Sequence, residues 1–262
     1  MLKDVTFGQY YPTSSFVHKM DPRSKLLILI AYIVAVFLAS SFIDLGVVFV
    51  FLCLAVIFSA VPPLMVLKSI RAIIFLIAFT FILNVFFYTK KEGDTVLFWV
   101  VTVEGILNAT FLSCRLILLV TGCSILTLTT TPVSLTDGIE SLLKPLNLVK
   151  FPVHELALIM SIALRFIPTL ANETDRIISA QKARGADFES GNIIRRIKAI
   201  IPILIPLLVS AFRRADELGD AMDARCYSGS KTRTKYKKLK YGFRDLMGVL
   251  SVAALITAVA ML

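Results

Sequence analysis

Apolar residues fall in long unbroken runs along the chain, with polar residues gathered into short breaks between them. A helix needs about 20 mostly apolar residues to cross roughly 30 Å of hydrocarbon. Five runs approach or exceed that length: 26–43, 45–67, 72–89, 105–131 and 246–262. The first three carry no charge, and the fourth is broken only by Arg115. The opening run does not read as a secretory signal, because 25 largely polar residues precede it and further spans follow.

From 132 to 244 the pattern changes. The sequence stays apolar, but its uncharged runs are too short to cross a bilayer: 9 residues over 156–164, before Arg165, and 14 over 199–212, before Arg213. Both read as interfacial or protein-buried. From Ile193 the apolar positions recur as Ile197, Ile200, Leu204, Leu207, Ala211, Ala215, Leu218 and Met222, the spacing of one helix face. Charges thicken toward the C-terminal half, at Arg213, Arg214, Asp216, Glu217, Asp220 and Asp223. Helices over 153–184 and 192–225 would be about 48 and 51 Å long at 1.5 Å per residue. Such lengths have no place inside a compact domain of this size; they suit helices lying obliquely against a membrane or another subunit. Pro168, Pro202 and Pro206 interrupt them. Each proline removes a backbone hydrogen bond and crowds the preceding turn, giving either a static kink or a hinge.

Charge sets the orientation. Lys and Arg are retained on the cytoplasmic side of short loops. Arg23 and Lys25 precede the first run, and Lys68 and Arg71 join the second and third. The first intervening loop is little more than Asp44, and the next holds Lys90 and Lys91 beside Glu92 and Asp94. The N-terminus is therefore expected inside and, after five spans, the C-terminus outside. Of the 28 basic residues, 19 lie between 132 and 244, the segment this parity places in the cytoplasm. The composition agrees: 57% apolar and 18% charged, against about 45–50% and 25% in soluble proteins. The expected architecture is an all-α polytopic membrane protein in three segments. Residues 1–131 hold the N-terminal segment and four spans, 132–240 a cytoplasmic coupling module of long amphipathic helices, and 241–262 the last span.

Both long helices end alike, in Ala183-Arg184-Gly185 and Ala224-Arg225-Cys226. Gly185 can take the left-handed conformation that stops a helix, and a cation beside it suits the macrodipole. An Arg at a tip with small neighbours is either a solvated helix end or a planar clamp for a partner's carboxylates.

The run Val153-His154-Glu155-Leu156 through Ser161-Ile162-Ala163-Leu164-Arg165-Phe166-Ile167-Pro168-Thr169-Leu170 is joined by Glu173-Thr174-Asp175-Arg176 and Gln181-Lys182-Ala183-Arg184-Gly185-Ala186. With Ser210-Ala211-Phe212-Arg213-Arg214-Ala215-Asp216-Glu217-Leu218, Gly8-Gln9-Tyr10 and Asp21-Pro22-Arg23-Ser24-Lys25-Leu26-Leu27, it resembles the transmembrane T component of energy-coupling factor transporters, essentially end to end. The resemblance implies a vitamin importer of the ATP-binding-cassette class in a bacterial cell membrane. Two cytoplasmic ATPases, of the EcfA and EcfA′ type, would grip the Arg-tipped helices. A small membrane-embedded S component would bind the vitamin and dock on their apolar side. Ala183, Arg184 and Gly185 would meet one ATPase, and Ala224, Arg225 and Cys226 the other. The chain itself would be a non-enzymatic scaffold without cofactor, ATP and Mg being bound by its partners. One departure stands out: the family's second motif usually reads Ala-Arg-Gly, and Cys226 in the third place leads to the expectation that this helix runs on or ends less sharply.

Other residues point to structure. Arg115 is costly in lipid and is expected to face protein, in a structural role or against the S component. Asn84 and the 127–131 end of the fourth run read as interhelical or backbone hydrogen bonds. Three of the four cysteines, Cys53, Cys114 and Cys123, lie in apolar runs and read as small buried hydrophobes; the fourth is Cys226. His154-Glu155 begins like a zincin motif, but Leu158 stands where the second His belongs, so no metal is expected. No Gly-x-x-x-x-Gly-Lys occurs. The basic run from Lys231 to Lys240 suits anionic headgroups of the lipid bilayer, and nothing beside it suits nucleic acid. The competing reading is a self-contained secondary transporter, which should carry ionisable residues near midplane on broken spans.

Overall fold

In the computed structural model of the chain, residues 10–87, 96–98, 101–149, 151–186, 193–227, 229 and 239–262 are described. Gly8, Gln9, Lys90, Lys91, Glu92, Asp94, Asn192 and the basic positions over 231–238 lie outside them. The chain divides into two compact units: Gly8–Leu142 with Leu239–Leu262, and Leu143–Lys238.

The first unit is a helical bundle. Helix α1 (Pro22–Leu38) starts where Asp21 accepts the backbone N–H of Arg23 and Pro22 takes a position whose N–H would go unused. It stops at Ala39, since Ser40 and Ser41 give their N–H groups to Asp44, which belongs to the next helix, α2 (Phe42–Ser59). That helix ends on left-handed Ala60, ahead of Pro62 and Pro63. Helix α3 (Pro63–Phe86) is bent by 55° between Pro63–Arg71 and Ile73–Phe86. A two-stranded antiparallel ribbon, β1 (Val96–Phe98) with β2 (Val101–Thr102), leads into α4 (Val103–Thr129), whose first turn Thr102 caps through the N–H of Gly105. The apolar pattern did not announce this ribbon. Nor did it announce α5 (Pro132–Leu143), which begins as Thr131 accepts the N–H of Ser134. Gly138 lets α5 pack on the start of α1; a Cβ there would stand 3.0 Å from Pro22 Cβ. The last helix, α8 (Phe243–Met261), returns to the bundle and packs on α1 and α2.

The bundle core takes one face from each of four helices: Tyr32, Ala35, Val36 and Ala39; Leu45, Val48 and Leu52; Leu118 and Ile125; Leu255 and Val259. Helix α3 packs on α4 from outside and leaves Ile74, Phe75, Phe79 and Ile82 exposed. Such surface is untenable in water and ordinary in hydrocarbon. Cys114 and Cys123 are exposed there too, which corrects their reading as buried hydrophobes; in lipid an outward apolar side chain costs nothing. The chain is thus an all-α polytopic membrane protein. Among the described residues, α2, α4, α6 (Val153–Ala183) and α8 can cross a bilayer by length and composition, and the bent α3 makes a fifth. With 17 residues, α1 is about 26 Å long, slightly less than the hydrocarbon thickness.

The second unit holds a short 3-10 stretch (Lys144–Val149), α6 and α7 (Ile193–Ala224), the two long helices packing on each other. At 31 and 32 residues they measure about 46 and 48 Å. Pro168, Pro202 and Pro206 lie within continuous helix.

Candidate coupling site

The two helix ends share one pattern of capping hydrogen bonds, residue for residue. At the end of α6, the N–H of Gly185 reaches the carbonyl of Lys182 at 3.0 Å and that of Ala186 reaches Gln181 at 3.0 Å. At the end of α7, the N–H of Cys226 reaches Asp223 at 2.9 Å and that of Tyr227 reaches Met222 at 3.0 Å. This paired pattern closes a helix through one left-handed residue. Gly185 supplies it at φ +86° and Cys226 at φ +56°. The expectation that Cys226 lets the helix run on is therefore corrected. Helix α7 ends at Ala224 as sharply as α6 ends at Ala183, because the capping hydrogen bonds hold a Cβ-bearing residue in a conformation that glycine adopts freely.

Ala183, Arg184, Gly185, Ala224, Arg225 and Cys226 are all exposed. The residue before each Arg-bearing pair differs: Lys182 on α6, Asp223 on α7, with Asp220 one turn earlier. A cation at a C-terminal turn is favoured by the macrodipole and an aspartate is not, so the two tips share a shape and differ in charge.

Between the tips and the apolar ends, α6 and α7 are joined by a polar contact that sequence reasoning missed. Glu173 Oε2 accepts Arg214 Nη2 at 2.9 Å, and Glu173 Oε1 accepts the hydroxyl of Ser210. The Ser210 hydroxyl first, and then Arg214, hold the Glu173 carboxyl below the usual carboxylate range. The partners lie 37 and 41 positions apart, so no spacing within either helix signals them. Beyond this contact Ile200, Ile201, Leu204, Ile205, Leu208, Val209 and Phe212 form an exposed apolar band on α7, and Leu156, Ile159 and Met160 are exposed on α6.

Arg115 faces protein. Its guanidinium donates to the carbonyl of Ala39, the residue that ends α1, and lies 4.7 Å over the ring of Phe111, which meets Phe42 edge-on at 5.4 Å. A carbonyl left without a helical partner is satisfied inside the bundle by a charge that lipid would reject. Asn84 donates to the Thr80 carbonyl at 2.8 Å, and Thr127 and Thr129 bond one turn back, to Cys123 and Ile125. Lys25, one of the basic residues ahead of the first apolar run, lies inside the bundle. It is 6% exposed, and its ammonium donates to the Thr129 carbonyl at 2.9 Å and to the Thr130 hydroxyl at 3.1 Å.

The chain as a whole is similar to known proteins. The family described as CbiQ, cobalt transport protein, matches residues 13–236. A protein of Clostridium kluyveri named energy-coupling factor transporter transmembrane protein EcfT is 48% identical over 259 residues, covering 98% of this chain and 96% of its own. Proteins of the same name from Acidaminococcus fermentans and Brevibacillus brevis are each 47% identical, over 100% and 99% of this chain and 98% and 97% of theirs.

Proposed function

The chain belongs to the family of energy-coupling factor transporter transmembrane proteins, and from that premise we propose that it is the scaffold that couples two ATPases to a substrate-binding membrane subunit. The observation that carries the reading is the pair of identically capped helix ends, each presenting an exposed arginine flanked by small residues. A rigid stop in a left-handed residue holds the Arg at the very tip, where its planar fork can enter a groove and meet carboxylates. Arg184, with Ala183 and Gly185, takes one ATPase; Arg225, with Ala224 and Cys226, takes the other.

The exposed apolar band of α7, with Leu156, Ile159 and Met160 of α6, offers the surface on which a small S component docks. Glu173, Ser210 and Arg214 tie the two helices together, so that a push at either tip is shared by both. Helix α6, although apolar enough to cross a bilayer, is read as a coupling helix, because Glu173, Asp175, Arg176 and Lys182 crowd its second half. The prolines at 168, 202 and 206 give these helices places to flex. The chain binds no cofactor of its own and does no chemistry; ATP and Mg sit in the ATPases. It lies in a bacterial cell membrane with the N-terminus and the module over about 132–240 in the cytoplasm and the C-terminus outside, and the substrate, a vitamin in this reading, is chosen by the S component.

The test is purification of the tagged chain in mild detergent from its own host, beside the Arg184→Glu, Arg225→Glu double variant. Two ATP-binding-cassette ATPases and a small membrane protein come with the native chain, and the ATPases are lost from the folded variant. A native chain that purifies alone and moves a solute down an ion gradient in vesicles overturns the reading in favour of a secondary transporter.

A further inference from the structure

A cavity of about 340 Å³ opens within the bundle, between α1, α2, α4 and α8. Its wall follows α1 from Lys25 to Tyr32 and α2 from Phe51 to Phe58, two turns of each helix or about 10 Å. The polar groups on this wall are already committed. The Lys25 ammonium is held by Thr129 and Thr130, the Tyr32 hydroxyl donates to the Leu118 carbonyl at 2.9 Å, and the hydroxyls of Thr129 and Ser251 donate to Ile125 and Gly248. A water molecule needs two to four polar partners to settle in a cavity, and beyond the spare lone pairs of hydroxyls that have already given their protons this wall is apolar. The natural occupant is hydrocarbon. An entire helix, about 10–12 Å across, is too large for such a volume, whereas one flexible chain enters it.

The mouth adds charge. Phe16 lines the cavity and lies 6.5 Å from Phe58, and the exposed Arg244 stands over the Phe16 ring at 5.9 Å. Asp21 and Asp245, at this end of the bundle, are buried and turned to backbone donors: Asp21 accepts the N–H of Arg23, and Asp245 accepts those of Asp21 and Gly242. They do not stand between Arg244 and an anion. In sequence the basic run from Lys231 to Lys240 comes directly before this helix, where basic residues draw anionic headgroups.

We propose that this cavity seats one acyl chain of an anionic phospholipid, whose phosphate is held at the mouth by Arg244. The fork of an arginine matches a phosphate, and its stacking on Phe16 orients it beside the opening. Leu54, Phe58 and Met247, which line the cavity and are exposed, form the open side through which the chain enters from the bilayer. The inference needs only that the bundle lies in a membrane and is independent of the coupling role of α6 and α7.

The experiment uses the full chain in phosphatidylcholine nanodiscs doped with a phosphatidylglycerol that carries a photoactivatable diazirine in the half of one acyl chain nearer the glycerol, with labelled peptides identified by mass. Label is expected to concentrate on Ile28, Phe51 and Met247 and to be sparse on the outward Phe75 and Ile82. Ser251→Trp, which fills the cavity from its exposed side, removes the cavity label and leaves that on Phe75 unchanged. Arg244→Gln, a surface change that spares the fold, lowers cavity labelling by the phosphatidylglycerol probe about five-fold, the worth of one basic residue at headgroup depth, and leaves labelling by a phosphatidylcholine probe unchanged. Even labelling over the whole lipid-facing surface overturns the site. Equal cavity labelling by both probes, insensitive to Arg244→Gln, overturns its preference for an anionic lipid. Protection of the cavity from lipid by a copurified membrane partner gives the site to a protein instead.

Discussion

Glu173 on α6 and Arg214 on α7 meet at 2.9 Å, and the same carboxylate takes the Ser210 hydroxyl with its other oxygen. One acidic side chain thus bridges the two helices by a fork that neither partner could make alone. Glu173→Gln keeps the shape and loses the charge, so it is expected to loosen the contact without unfolding either helix. The pH dependence has a definite sign. Because the folded carboxyl titrates below its ordinary value, its contribution is complete above the usual carboxylate range and is lost as pH falls through the depressed value. Distances between spin labels on α6 and α7 in the full chain should broaden in Glu173→Gln at neutral pH and match the parent's distribution in strong acid. A variant whose distribution is already the parent's at neutral pH removes the bridge from the account.

Cys226 occupies a glycine's conformation. Left-handed backbone costs a residue with a Cβ about 1–2 kcal/mol, while glycine gives part of that back through the greater freedom of its unfolded chain. Cys226→Gly is therefore expected to be neutral or to tighten the last turn of α7 by up to about 1 kcal/mol, with the ATPases retained. Gly185→Ala should fray the end of α6 by about 1–2 kcal/mol. Hydrogen exchange at the amides of Gly185, Ala186, Cys226 and Tyr227 reads both ends in one experiment: slower exchange in the first variant, faster in the second.

Much of this was legible in the sequence, for identifiable reasons. The bounds of α6 and α7 fell within a residue or two of expectation because their apolar faces repeat at the helical period and Gly185 marks the end of α6, whereas the sharp stop at Cys226 was not legible, since a residue with a Cβ does not announce a left-handed cap. The exposure of both Arg tips followed from the same signals. Helix α5 was not legible, since twelve residues that include Thr136, Gly138 and Glu140 form no long apolar stripe, and its place on α1 depends on a missing Cβ at Gly138. The Glu173 bridge and the burial of Lys25 were hidden for another reason. Both join positions far apart in the chain, and a lysine beside a first span carries the same charge whether it is wet or buried.

Lys25 fastens the start of α1 to the end of α4, donating to Thr129 and Thr130, and at 3.4 Å to the His18 carbonyl. Removing a donor from a buried carbonyl costs about 1–3 kcal/mol. Lys25→Met keeps the apolar stem and discards the ammonium, and it should lower the thermal midpoint of the full chain in detergent. Lys25→Arg is expected to rescue little, because the planar guanidinium does not fit a pocket shaped for a compact ammonium. A melt of Lys25→Met that overlays the parent's would show that water or detergent replaces the amine without loss.

Two glycines allow a sharper comparison, because their neighbours differ in how readily they yield. A Cβ on Gly122 would fall 2.2 Å from Tyr32 Cε1, on a ring packed beside Phe51 and pinned by its hydroxyl to the Leu118 carbonyl. A Cβ on Gly248 would fall 2.4 Å from the terminal carbon of Met20 and 2.7 Å from Ile28 Cδ1, both flexible ends. Overpacking costs about 1–3 kcal/mol where neighbours are fixed, and a methionine tip moves aside for much less. Gly122→Ala should therefore destabilise the bundle clearly more than Gly248→Ala. Gly122→Ala combined with Tyr32→Phe tests the cause: freed from its hydrogen bond, the ring can swing away, so the double variant should lose less than the sum of the two single losses. Strict additivity of the thermal shifts would mean that the ring is not what resists the new methyl.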